Sequence, residues 1–354
     1  MALIDRLVNR LLDGDTPLER DALTSAALDL MAEEAPLAHP GMVTDVVDAI
    51  VGLGPLEPLM RDPEVSDVLV NGDGEVWVEQ GGDLVPSKVR FAGPEAVRAA
   101  VERVIAPLGL RLDHASPAVD ARLADGSRLH ALLPPISVDG PVLAVRRFTQ
   151  AVGDLAELEE RGGIEAEGAA MLRAAVEERR NLVVSGGTGS GKTTLLNVLS
   201  KEIPTGERVV TVEDAAELRL AGHVVRLESR PANIEGVGAV TLRDLVRHAL
   251  RLRPDRIIVG EVRGAEALDM IQAMSTGHEG SMSTVHANSP EEAMWRIETL
   301  ALSGASRVSE ITVRRQLWGA LHLVVQTERR RGRRRVASIA VVGDGTTEEV
   351  YQCS

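Results

Sequence analysis

Between Asn181 and Ser200 the chain reads NLVVSGGTGSGKTTLLNVLS, a stretch that leaves few structural options open. Leu182-Val183-Val184 is a short apolar run of the kind that forms a buried strand, and Leu195, Leu196, Val198 and Leu199 recur at helical spacing. Between them lie Gly186, Gly187, Thr188, Gly189, Ser190 and Gly191, followed by Lys192, Thr193 and Thr194. The pattern is G-x-x-x-x-G-K-T in its required setting of strand, loop and helix. Glycines let the backbone curl so that successive N–H groups converge on phosphate oxygens. The helix N-terminus adds partial positive charge. A lysine there reaches the β- and γ-phosphates, and a threonine hydroxyl ligates Mg²⁺. The implied ligand is a nucleoside triphosphate with Mg²⁺. Gly186 to Thr194 are its candidate binding residues, and Thr193 is a candidate metal ligand.

Around this stretch strands and helices alternate. Strands are expected at 182–185, 208–212, 256–260 and 281–285, with helices at 166–179, 192–203, 241–252, 264–275 and 290–303. Such a rhythm predicts an α/β domain, a mostly parallel sheet with helices on both faces, over residues 166–354. Its end differs: His322–Thr327 and Val336–Val342 alternate about an arginine-rich turn and read as an antiparallel hairpin. The acidic, glycine-containing stretch 149–165 reads as a linker. Before it, residues 52–148 carry hairpin grammar, with Asn71-Gly72, Gly81-Gly82 and Asp125-Gly126 between alternating runs, a helix from Pro94 and a last strand Val142–Phe148. This predicts a smaller α+β domain. Residues 1–50 read as helical, either a small bundle or a docking element for a partner or membrane surface.

Hydrolysis needs carboxylates as well as a phosphate cradle, to hold Mg²⁺ and position water. Two acidic groups stand at strand ends, where open α/β sheets bind ligands. Glu213, Asp214 and Glu217 follow one strand, and Glu261 follows another, preceded by Gly260 where a conventional metal-binding Asp would stand. Taken singly each group also reads as a solvated loop; together with Lys192 they read as catalytic. His278 and His286 flank a strand and read as neutral donors near the γ-phosphate, with metal ligation the other option. Arg122 and Arg128 flank a hairpin of the first domain, and Arg226 and Arg230 follow the first acidic group. Each reads as a phosphate-stabilising arginine or a surface ion pair. The run Arg329–Arg335 reads as a solvated turn or as a contact for anionic lipid or an acidic partner.

Composition narrows the function classes. A formal charge of −14 opposes non-specific DNA binding by the whole chain, so no direct nucleic-acid contact is expected. Three tryptophans, one tyrosine and two phenylalanines leave little for base stacking. One cysteine, Cys353, builds neither a disulfide framework nor a cysteine zinc site. No apolar run of about 18 residues suggests a membrane span, and the expected location is cytoplasmic.

The order GGTGSGKTTLLN, TVEDAAELRL, VRLESRP, RPDRIIVGEVRGAEALDMIQAMSTGHEGSMSTVHANSP resembles the type II/type IV secretion ATPases, most of all the CpaF/TadA-type motors of tight-adherence pili. The likeness covers the second domain and reaches the first through GLGPLEPLM, VSDVLVNG and SPAVDARLADGSRLHALLPP. Gly260-Glu261 matches the family's own form of that motif. The resemblance implies a RecA-like P-loop NTPase domain behind an N-terminal domain, a homo-hexameric ring, and nucleotide between the two domains. It implies ATP and Mg²⁺ at Lys192 and Thr193. Glu217 and Glu261 would act on metal and water, supported by Glu213 and Asp214, with Thr193, Glu213 and Asp214 as metal ligands. His278 and His286 would form a histidine box, Arg122 and Arg128 would approach the phosphates, and Arg226 and Arg230 would act at a subunit interface. The partner would be an inner-membrane pilus or secretion platform, reached on its cytoplasmic face without membrane insertion. Lack of a four-cysteine zinc module points to the tight-adherence, conjugation or retraction branches. A conjugation-type secretion ATPase and a nucleotide-binding ring with little turnover are the alternatives.

Overall fold

The computed structural model describes residues 3–147, 152–230, 237–305, 308–330 and 332–353, the side chain of Asp5 excepted. Its contacts divide the chain into two units, Met1–Thr149 and Gln150–Ser354.

The first unit opens with α1 (Leu3–Leu12), α2 (Arg20–Glu34) and α3 (Met42–Val51). Apolar residues three and four apart bring Leu7 and Leu11, Leu23, Ala27 and Met31, and Val43, Val46 and Val47 into one buried cluster. The three helices thus pack their apolar faces on one another. The short α4 (Glu57–Arg61) follows. Its Arg61 and Arg20 of α2 donate to the buried Asp48 at 2.6 and 2.8 Å, supplying the pairing that a buried carboxylate requires. Next come β1 (Val65–Val70), β2 (Glu75–Gln80), β3 (Asp83–Arg90), α5 (Pro94–Ile105), β4 (Ala118–Arg122), β5 (Arg128–Leu132) and β6 (Val142–Arg146). The strands form one antiparallel sheet in the order β3-β2-β1-β6-β5-β4, and Val97, Ala100, Val101 and Ile105 of α5 close its core. Phe148, the expected end of the last strand, lies outside the described residues.

In the second unit the elements are α6 (Leu155–Glu160), α7 (Ala166–Glu177), β7 (Leu182–Gly186), α8 (Lys192–Ser200), β8 (Arg208–Glu213), β9 (His223–Glu228), α9 (Leu242–Ala249) and β10 (Arg256–Val259). They continue through α10 (Glu266–Ser275), β11 (Met282–His286), α11 (Pro290–Ser303), α12 (Glu310–Ala320), β12 (Leu323–Arg330), β13 (Arg333–Val342) and β14 (Thr347–Gln352). The sheet order is β14-β13-β12-β7-β11-β10-β8-β9. From β12 to β9 all neighbours are parallel, while β13 and β14 add on antiparallel. Successive residues of a strand face opposite sides. In β7, Val183 accordingly packs with Leu245, Ile271, Ile297 and Leu317 of α9–α12, whereas Leu182 and Val184 pack with Leu172, Leu196 and Leu199 of α7 and α8. Burial on both faces is why β7 reads as a continuous apolar run.

Two expectations need correction. The stretch 149–165 is not a bare linker: its described part carries α6, and Leu155 and Ile164 are buried in the second unit's core. The C-terminal hairpin is the antiparallel pair β12 and β13, and β12 also pairs in parallel with β7 over Leu323–Thr327. Finally, β9, α12 and β14 were not expected. Strands β9 and β14 are half-exposed edge strands with weak hydrophobic alternation.

Candidate functional site

The centre of the sheet ends level, with Gly186 of β7 opposite His286 of β11 on one side and Thr327 of β12 on the other. The chain then turns through Gly187–Gly191 directly into α8. Gly189 and Gly191 take φ of 69° and 95°, a left-handed curl that side chains resist. Ser190 Oγ donates to Gly187 O at 2.9 Å and lies 2.8 Å from Thr327 Oγ1, which donates to Ser185 O at 2.9 Å. The loop is thereby fastened to the neighbouring strand.

Lys192 is the first residue of α8, and its Nζ donates to the carbonyls of Gly186 at 2.9 Å and Gly187 at 2.8 Å. Burial lowers its ammonium pKa; Glu261 works against that shift and Arg263 adds to it. Thr193 and Thr194 are half-buried in the same first turn, where helix N–H groups have no intrahelical partner.

At the end of β8, Glu213 is 3% exposed. Its Oε1 accepts the N–H groups of Glu217 at 2.8 Å and Leu218 at 2.9 Å, while its buried Oε2 has no hydrogen-bond partner among the described residues. Burial pushes this carboxyl above its ordinary range, against the pull of those two donors and of Arg226. The acidic loop is braced from β9. Arg226 Nη2 donates to Ala216 O at 2.9 Å, and Glu228 accepts the Ala216 N–H at 3.2 Å.

Glu261 stands two residues beyond β10 and accepts from Arg263 Nη2 at 2.6 Å. Arg263 also lies 3.9 Å from Asp214 Oδ2, and Asp214 accepts from Ser229 Oγ at 3.2 Å. Gly260 has a steric reason. A Cβ built there would lie 2.9 Å from Glu213 Cγ, so the glycine makes room for the carboxylate of the adjacent strand.

Gly186–Thr194, Glu213, Asp214, Glu217, Glu261 and His286 therefore share the C-terminal edge of one parallel sheet. His278 does not. It precedes β11 at the opposite edge, where its Nδ1 lies 3.3 Å from Ala273 O at the end of α10. At about 3.3 Å per residue, β11 alone separates the two edges by about 13 Å, too far for the two histidines to hold one metal ion. Arg230 Nε donates to Gly238 O at 2.8 Å, in a bridge of its own with Val240. Arg122 and Arg128 face each other in register in the first unit.

Two participants escaped the sequence reading. Arg263 carried a usable signal, two residues after Glu261 and so on the same side of an extended segment. Thr327 carried none, since its place beside the loop follows from strand order.

A family model described as "Type II/IV secretion system protein" matches residues 50–344. The chain is 46% identical over 302 residues to a putative conjugal transfer protein of Mycobacterium tuberculosis, covering 83% of this chain and 85% of the relative. It is 32% identical over 319 residues to the conjugal transfer protein TrbB of Rhizobium radiobacter, covering 89% and 94%. Among solved structures, the Legionella pneumophila ATPase DotB aligns with a TM-score of 0.57 at 20% identity, over 82% of this chain and 80% of that one. That likeness is one of fold: α/β and RecA-like.

Proposed function

The chain belongs to the type II/IV secretion system protein family, and on that premise we propose that it is an ATP-hydrolysing motor. It works as a homo-hexamer against a pilus or secretion platform, on the cytoplasmic face of the inner membrane. The observation that carries this reading is the gathering of a fastened phosphate loop, a buried carboxylate with one unpartnered oxygen and a second carboxylate at one sheet edge. No helix among the described residues is long and apolar enough to cross a membrane, which suits docking through a partner.

The donor set fits Mg²⁺, a cation that takes few protein oxygens and keeps phosphate and water ligands. Among the described residues no cluster of three or more His, Cys, Asp or Glu side chains could hold a metal unaided. Thr193, Glu213 and Asp214 are the residues to hold it. When bound, Mg²⁺ neutralises charge on the β- and γ-phosphates. Lys192 gives up two backbone carbonyls for phosphate oxygens, a trade of neutral acceptors for charged ones. Glu261 exchanges its bond with Arg263 for the attacking water, and Glu217 assists. His286, level with Gly186, donates towards the γ-phosphate. Arg122 and Arg128 are candidate phosphate-stabilising residues, and Arg230 acts on a neighbouring subunit's site. Arg226 we assign to its own chain, because it braces the Ala216 carbonyl.

A second reading concerns cargo. The resemblance to tight-adherence motors favours pilus assembly, whereas relatives named as conjugal transfer proteins favour a conjugation-type machine. A deletion strain scored for surface pili and for transfer frequency separates them.

The motor itself is tested by ATPase rate against protein concentration, with light scattering in ATP and Mg²⁺. Turnover that rises steeply as a hexamer forms is expected. Equal specific activity in a monomer would overturn the ring, and absence of turnover in a hexamer would leave a nucleotide-bound scaffold.

A further inference from the structure

The arginine-rich turn between β12 and β13 has no part in the site described so far. Because β12 runs parallel to β7 with Thr327 level with Gly186, its last residues, Glu328–Arg330, continue past the sheet edge where β7 turns into the phosphate loop. At about 3.3 Å per residue, the hairpin projects about 10 Å over that loop. Arg329 and Arg334 are direct partners across the hairpin. Both lie against the loop's glycines: a Cβ built on Gly191 would be 3.5 Å from Arg334 Cδ, and one built on Gly189 would be 3.9 Å from Arg329 Nη1. Arg335 is held apart by Glu328 at 2.8 Å.

Strand order puts the candidate catalytic carboxylates on one side of the loop and the Arg329–Arg334 pair on the other. The carboxylates come from β8 and β10, reached from β7 through β11, while the arginines come from β12 and β13 on the other side. A polyphosphate threaded through this edge has its reacting end at the carboxylates, where metal and water are handled. Its remaining phosphates then face the arginines. Guanidinium groups suit that task, since their planar forks match phosphate oxygens in pairs.

We propose that Arg329 and Arg334 form a second, cationic wall of the phosphate cradle and bind the α,β-diphosphate of the nucleotide, before and after the γ-phosphate leaves. The proposal rests on the nucleotide reading of Lys192 and its loop. It makes the C-terminal hairpin a determinant of nucleoside diphosphate affinity, and so of product release.

The test uses the full-length protein and measures binding of ADP and of inorganic pyrophosphate by calorimetry. The proteins compared are wild type, Arg329→Gln/Arg334→Gln and Arg329→Lys/Arg334→Lys, with circular dichroism to verify folding. For the glutamine pair the expected result is a rise in Kd of about tenfold or more, by similar factors for both ligands. The lysine pair is expected between the two. In turnover, KM for ATP should rise more than kcat falls. Unchanged affinity in the folded glutamine pair, alongside a wild type that binds ADP, would overturn the proposal and leave the nucleotide reading standing. Weakened ADP with unchanged pyrophosphate would move the arginines to the base or ribose and overturn the phosphate assignment. A wild type that binds neither ligand would overturn both.

Discussion

Glu213 lies across Gly260: a Cβ on the glycine would come 2.9 Å from the glutamate's Cγ, on the neighbouring parallel strand. The glycine that replaces an acidic residue in this motif is thus the seat of an acidic residue from elsewhere. Gly260→Ala should displace Glu213 from the Glu217 and Leu218 N–H groups, an overpacking cost of about 1–3 kcal/mol. A drop of at least tenfold in ATPase rate is expected, with a lower melting temperature. Wild-type rates in Gly260→Ala would show that the carboxylate's seat is unimportant.

Glu213 also sets a pH dependence. Its folded-state pKa is raised by burial, so between the unfolded and folded values the native state holds more protons than the unfolded one. The group therefore lowers stability as pH rises from the ordinary carboxylate range through its raised value. Glu213→Gln should melt higher than wild type at neutral pH and should converge with it in acid, while losing turnover. Parallel melting curves at every pH would contradict the assignment.

Glu261 is held by Arg263 at 2.6 Å and answers for the attacking water in the proposed reaction. Glu261→Gln should retain ATP binding and reduce turnover by about a hundredfold or more, in the range attributed to general acid–base groups. Normal ATPase rates in the purified variant would remove Glu261 from the mechanism.

Arg226 bonds the Ala216 carbonyl of its own chain at 2.9 Å. Rings mixed from Arg226→Ala and Glu261→Gln subunits should then show no more activity than the sum of the separate proteins. Recovered activity in the mixture would place Arg226 across the subunit boundary.

Asn181, 1% exposed at the start of β7, donates to Met274 O and Ala320 O at 3.1 and 2.7 Å and accepts the Ser281 N–H at 3.1 Å. Asn181→Ala strands three buried backbone groups. A loss of about 3 kcal/mol or more is expected, lowering the melting temperature by roughly 6–12 °C in a unit of this size. A shift under 2 °C by calorimetry would show that water satisfies those groups.

The phosphate loop was legible in the sequence because its physics is local: glycine conformations, a helix start and a lysine, all within nine residues. The carboxylates were legible because each follows a recognisable strand. What could not be read was whatever depends on strand order. Thr327, Arg329 and Arg334 approach the loop only because β12 inserts beside β7, a pairing between segments 141 residues apart. His278 failed for a related reason, since a motif spaced along a strand says nothing about which end faces the ligand. Leu155 and Ile164 sat in a stretch rich in charge and glycine, where Leu155 and Leu158, three apart, are too short a pattern to signal a buried helix.

The strand that carries the loop has a further consequence for how the chain comes into being. On a ribosome, β7 emerges long before β11 and β12, its neighbours on either side, which follow about a hundred and about a hundred and forty residues later. Until then it has two open edges and no mate. Such long-range pairing is slow and leaves apolar strand exposed to aggregation. The cradle is therefore completed only after β12 has been made, so that gripping a nucleotide depends on a segment about a hundred and forty residues downstream of the strand that leads into the loop.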